Sequence, residues 1–186
     1  GGDPAKGKTY YQTCVACHGA NGEGMKTLNS PNLTHLPEWY ILSQLKNFKD
    51  GIRGTDPKDL YGMQMRPMAM TLPDEKAMLD VIAYIKTLKP GSVEHTESGD
   101  AAKGKSLYAT CTACHGAKGE GNEALHAPSF EGQADWYMIR QLQNFKAGIR
   151  GANPKDMWGQ QMRPMAMTLP DDKAIKDVVA YIKTLK

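Results

Sequence analysis

Apolar residues recur with a helical period near the end of each half of this 186-residue chain. Met78, Val81, Ile82, Ile85 and Leu88 fall at i, i+3, i+4, i+7 and i+10, and Ile175, Val178, Val179, Ile182 and Leu185 repeat the spacing. One face of a helix is therefore apolar in both places. Thr71-Leu72-Pro73-Asp74-Glu75 marks the start of the first of these helices, with proline and acidic residues suited to a first turn. Ile41, Leu42, Leu45 and Phe48, stopped by Gly51, predict a middle helix, and Met138, Ile139, Leu142, Phe145 and Gly148 predict its counterpart. A first helix is expected from Asp3 or Asp100, as N-cap, to the first cysteine of each half. No segment alternates apolar and polar residues as a half-buried strand would. The fold class is all-α, with about three main helices per half.

The pairing of these patterns reflects a duplication. Shifted by 97 residues, Cys14-Val15-Ala16-Cys17-His18 falls on Cys111-Thr112-Ala113-Cys114-His115, and the run from Gln64 to Asp74 recurs unchanged from Gln161 to Asp171. Trp39-Tyr40 matches Trp136-Tyr137, and Gly51-Ile52-Arg53-Gly54 matches Gly148-Ile149-Arg150-Gly151, with no insertion or deletion. The polar, Pro/Gly/Ser-bearing stretch 90–98 reads as a linker between domains at 1–89 and 99–186. A domain of about 90 residues has a marginal core, to which a bound cofactor would add much apolar mass.

Charge narrows the partner classes. The net +3 arises from 11 basic against 9 acidic residues in 1–93 and 12 against 11 in 94–186, so neither half has the basic excess of a nucleic-acid groove. No stretch approaches the ~20 consecutive apolar residues of a membrane span, and Gly1 to Lys8 lacks a basic segment leading into an apolar one. A processed, soluble chain is expected.

The four cysteines form two identical Cys-x-x-Cys-His motifs, the spacing for covalent haem c. Two thiols two residues apart can each add to a vinyl group on one edge of the macrocycle, and the adjacent imidazole, His18 or His115, reaches the iron. Zinc would need two more ligands per site, and a redox dithiol belongs after a strand. His35, His95 and His126 have no histidine at the matching position of the other half. They read as solvated or satisfied surface residues, which argues against a shared bis-histidine iron.

A sixth ligand common to both halves must come from shared residues. Of the 11 methionines, only the pairs Met65/Met162, Met68/Met165 and Met70/Met167 recur. They lie in a Pro-containing segment before the last helix, where helical spacing does not account for them as core filling. A thioether opposite histidine gives low-spin iron with a raised potential, because a soft neutral ligand favours the ferrous state. That chemistry is electron transfer.

Two tandem CxxCH domains, Gly7 or Gly104 in the first helix, a Met-x-x-Met loop and Ala83-Tyr84 or Ala180-Tyr181 in the last helix resemble di-haem class I cytochromes c of the cytochrome c4 group. The resemblance implies two cytochrome c-like domains, each folded around one haem c held through Cys14 and Cys17 or Cys111 and Cys114. It implies His18 and Met65, and His115 and Met162, as iron ligands, with Met68 and Met165 packing nearby. It further implies that the carbonyls of Pro31 and Pro128 accept the Nδ1 hydrogen of the proximal histidine, and that the first and last helices cross closely at Gly7 and Gly104. Arg53, Arg150, Trp39 and Trp136 offer propionate contacts, although a solvated arginine and a half-buried tryptophan describe them better. The segment Thr55 to Gln64 also resembles cytochrome domains attached to respiratory oxidase subunits.

The function expected is that of a periplasmic electron carrier, not an enzyme. It would pass single electrons from a membrane quinol-oxidising complex to a terminal oxidase or reductase. A removed secretory signal follows from haem attachment outside the bacterial cytoplasmic membrane. The alternatives are a di-haem peroxidase-like enzyme, which needs an open iron position, and a docking subunit of a respiratory oxidoreductase complex.

Overall fold

A computed structural model describes residues 1–89 and 92–186, so residues 90 and 91 of the expected linker lie outside the described residues. The chain divides into two compact units, Gly1–Val93 and Glu94–Lys186. Among the described residues there is no strand, only the isolated bridges Met25 to Ser30 and Asn122 to Ala127.

In the first unit the helices are α1 (Pro4–Tyr11), α2 (Val15–His18), α3 (Glu38–Lys49), α4 (Leu60–Met70) and α5 (Glu75–Ile85). Asp74 caps α5 by accepting the Ala77 amide, and Asp3 caps α1 by accepting the Ala5 amide. The apolar face of α5 is buried through Met78, Val81, Ile82 and Ile85, against Tyr11, Ile41, Leu45 and Phe48. Helix α1 crosses α5 at Gly7, where an added Cβ would lie 1.9 Å from the Asp80 carbonyl oxygen. The buried Asp80 carboxylate secures the crossing by accepting the Asp3 amide at 2.8 Å and the Lys76 ammonium. That amide, more than Lys76, holds the Asp80 carboxyl below the usual carboxylate range.

The second unit comprises α6 (Ala101–His115), α7 (Asp135–Ala147), α8 (Met157–Met167) and α9 (Asp172–Ile182). Its first helix runs unbroken through both cysteines to the histidine, past the end expected at the first cysteine. Leu107 and Ala109 stand where the first unit has Tyr10 and Gln12, and both exchanges favour continued helix. The Gly7 crossing recurs at Gly104, with a Cβ position 1.9 Å from the Asp177 carbonyl oxygen.

Residues 94–97, part of the expected linker, are packed on this unit. The Thr96 and Glu97 amides donate to the fully buried Asp135 carboxylate at 3.1 and 2.8 Å, and the Lys183 ammonium donates to it at 2.8 Å. The Trp136 indole N–H donates to the Glu94 carbonyl at 3.1 Å.

The Met-x-x-Met segments, expected as loops, are helices. Asp59 and Asp156 cap α4 and α8 by accepting the Gly62 and Gly159 amides at 3.0 and 2.9 Å. Pro67 and Pro164 sit inside these helices on the exposed side, where a carbonyl left without an amide partner costs least.

Candidate metal centres

The CxxCH motif ends α6 in the second unit, whereas in the first it runs from Cys14 through the short helix α2, and after each motif the chain turns back at Gly19 or Gly116. None of the four cysteines is engaged in a disulfide. Cys14 and Cys111 pack against the two apolar cores, and burial, with a smaller contribution from the neighbouring cysteine, pushes each thiol up to about 11.

His18 and His115 are each 6% exposed. The Nδ1 of His18 lies 3.0 Å from the Pro31 carbonyl oxygen, and that of His115 lies 3.0 Å from the Pro128 carbonyl oxygen. A carbonyl can only accept, so Nδ1 carries the hydrogen and Nε2 keeps the lone pair. Burial lowers the pKa of both rings, against a smaller opposing effect of the carbonyl. Both imidazoles are therefore neutral and able to ligate.

The residues that fix this arrangement escape a reading of the sequence. The Tyr11 hydroxyl donates to the Gly19 carbonyl and Tyr108 to Gly116, both at 2.7 Å, pinning the turn after each motif. Gly24, at φ +86°, donates its amide to the His18 carbonyl, and a Cβ there would lie 2.5 Å from the Ser30 carbonyl. Only glycine lets this stretch of chain approach the segment that presents Pro31. Gly121 does the same in the second unit, at φ +83°.

Helix α4 places Met65 on the side of the buried Gly62 and Ala69 and packs it on the core that Cys14 joins. Met68 borders that side and is half-buried. Met70 lies opposite, with Leu60 and Met63, and all three are exposed. Met162, Met165 and Met167 take the corresponding positions on α8, where Met162 is half-buried and Met167 exposed.

Two expectations need correction. Arg150 is buried, not solvated: its guanidinium lies 4.6 Å from the Phe145 ring centroid and donates to Gln141, as half-buried Arg53 does with Phe48 and Gln44. Trp136 is buried, because its N–H is engaged by residues that precede the second repeat. His126, expected as a solvated or satisfied surface residue, is half-buried and stacks on Trp158, with centroids 5.3 Å apart. Burial also takes the half-buried His35 down to about 4.

Among the described residues no three of His, Cys, Asp and Glu gather as a metal-ion site. Each unit instead combines a thiol pair, a neutral histidine with Nε2 uncommitted and part-covered apolar side chains on one core. This donor set fits a covalently held haem and does not fit zinc.

The Cytochrome c family model matches residues 4–89 and again 101–186. The chain is 30% identical over 195 residues to cytochrome c4 of Azotobacter vinelandii, covering 99% of this chain and 90% of that protein. The chain belongs to the di-haem cytochrome c4 family. Its two CxxCH sites accordingly carry two covalent haem c groups, and it is an electron-transfer cytochrome. The crystal structure of reduced recombinant cytochrome c4 from Pseudomonas stutzeri matches it with a TM-score of 0.76 at 28% identity, each chain fully covered. A thiosulfate dehydrogenase electron acceptor of Stutzerimonas stutzeri is 29% identical over 179 residues, covering 90% of this chain and 76% of that protein. No helix among the described residues is long and apolar enough to cross a membrane.

Proposed function

We propose that this cytochrome is a periplasmic one-electron carrier, organised as domains 1–89 and 99–186 joined through 90–98, of which 94–97 is held on the second domain, and that its two irons are closed on both sides. His18 and Met65 would ligate the first iron and His115 and Met162 the second. The observation that carries this reading is the repetition of one donor arrangement: a buried histidine whose Nδ1 hydrogen is held by a proline carbonyl, with a methionine-bearing helix, in both units. Neither unit is built differently to keep a position open, which a peroxidase-like enzyme would require.

Haem, when bound, supplies a one-electron ferric/ferrous couple. The chain contributes the rest. Cys14 and Cys17, like Cys111 and Cys114, tether the macrocycle. The Pro31 and Pro128 carbonyls orient the imidazoles and make them better donors. The Met65 and Met162 thioethers would exclude water from the iron and favour its ferrous state.

The electron donor proposed is a membrane quinol-oxidising complex, and the acceptor a terminal oxidase or reductase. A second reading, reduction by a thiosulfate-oxidising enzyme, is favoured by the relative named for that role and by a structural neighbour titled as a thiosulfate dehydrogenase. That neighbour has a TM-score of 0.76 at 26% identity, and the match covers 98% of this chain and 40% of it. Stopped-flow reduction of the ferric protein by each purified donor system decides between them. One electron per haem is expected, at a rate that falls as salt rises if surface lysines steer docking. Sustained peroxide turnover, with no reduction by either donor, would overturn the carrier reading.

A further inference from the structure

The two histidines that hold the irons in the proposed reading differ in one contact. In the second unit the Phe130 ring stacks on His115, with centroids 4.2 Å apart and planes inclined by 24°. The first unit has Leu33 at the matching position. The surrounding backbone is the same, since the Phe130 amide donates to the Gly119 carbonyl at 2.8 Å and the Leu33 amide to the Gly22 carbonyl at 2.9 Å. Both imidazoles are 6% exposed and both donate to a proline carbonyl at 3.0 Å. Exposure and hydrogen bonding are therefore matched, whereas the residue that stacks on the ring in the second unit is replaced by leucine in the first.

We propose that Phe130 is a positioning residue that sets the second haem apart from the first, by fixing the plane of His115 and lowering the reduction potential at that site. This rests on the reading of His115 as an iron ligand. The carbonyl of Pro128 fixes the position of Nδ1 but leaves the ring plane free to rock about the line from Nδ1 to Nε2. A second, nearly parallel ring restrains that rocking. The phenyl π-face also attracts positive charge. Ferric iron draws more charge from its imidazole than ferrous iron does, so the ring is more positive in the oxidised state. The stack therefore favours the ferric form, and leucine provides no such face. The equilibrium concerned is the one-electron reduction of ferric to ferrous iron by a mediator, with no bond or proton exchanged.

The test is a spectroelectrochemical titration of the holo-protein, with low-spin ferric EPR, on wild type, Phe130→Leu and Leu33→Phe. Phe130→Leu installs the residue that the first unit already accommodates. It is expected to raise only the second potential, with about a threefold change in the ferric-to-ferrous ratio at fixed applied potential. That corresponds to ~28 mV at ~59 mV per decade for one electron. The second EPR signal should also move toward the first. Leu33→Phe should lower only the first potential. Unchanged potentials and EPR signals in both variants overturn the proposal. His115→Ala separates this failure from failure of the ligand assignment: loss of one low-spin signal keeps His115 as ligand, whereas an unchanged spectrum overturns the assignment and the stacking proposal together.

Discussion

Met65→Ala is expected to abolish the low-spin signature of one haem and leave the other intact, and Met162→Ala to do the reverse. In each variant half of the sulfur-to-ferric-iron charge-transfer absorption disappears, and carbon monoxide binds one haem per ferrous chain. The expectation rests on the geometry of α4 and α8. Within the repeated methionine trio, Met65 shares the inward side of its helix with Gly62 and Ala69, while Met70 faces away with exposed Leu60 and Met63. Alanine carries no thioether, so the sixth position passes to water or an added ligand. The affected potential falls, because the soft neutral donor that favoured ferrous iron is gone. Met68→Ala and Met165→Ala should leave both low-spin signals in place. If these two variants lose the signals while Met65→Ala and Met162→Ala keep them, the ligands are Met68 and Met165.

Gly7→Ala is expected to destabilise the first unit by about 3 kcal/mol or more, beyond the ordinary cost of an overpacked contact. In an open helix the same change would stabilise, since alanine is the better helix former by ~1 kcal/mol. Here packing decides the sign. The new methyl would lie 1.9 Å from the Asp80 carbonyl oxygen and 2.9 Å from the Tyr84 Cβ, and the first of these neighbours is helix backbone that cannot swing aside. Separating the helices would also disturb the Asp3 to Asp80 hydrogen bond and the packing of Tyr11 on Tyr84. For a unit of this size the loss corresponds to a fall in Tm of roughly 12–24 °C. Gly104→Ala should act likewise on the second unit, where the Asp177 carbonyl oxygen is as close. Scanning calorimetry of the holo-protein checks both, and an unchanged or raised Tm would show that the crossing is looser than this geometry.

The elements most legible in the sequence are those whose signal is local. The apolar spacing of Met78 to Ile85 places α5 on the core, and CxxCH specifies the haem linkage because its chemistry lies within five consecutive residues. Helix α4 was obscured by Pro67, which reads as a breaker but stands on the exposed side. Asp59, capping at the right distance before Gly62, was the available signal. Other features are tertiary and leave no pattern along the chain. Tyr11 reaches Gly19 only because α1 and the CxxCH turn meet, and Gly24 matters because Ser30 comes against it. Trp136 is covered by residues about forty positions earlier, and Arg150 is drawn over Phe145 by the turn that follows α7. The stack of Phe130 on His115 belongs to the same class, since neither residue announces the other in sequence.

Each half of the chain is proposed to hold one iron closed by histidine on one side and methionine sulfur on the other. The visible and near-infrared spectrum of the fully oxidised holo-protein, normalised to two haems per chain, tests it most directly. Sulfur-to-iron charge-transfer intensity for two haems and no high-spin absorption are expected. A high-spin band, or intensity for one haem alone, would contradict it.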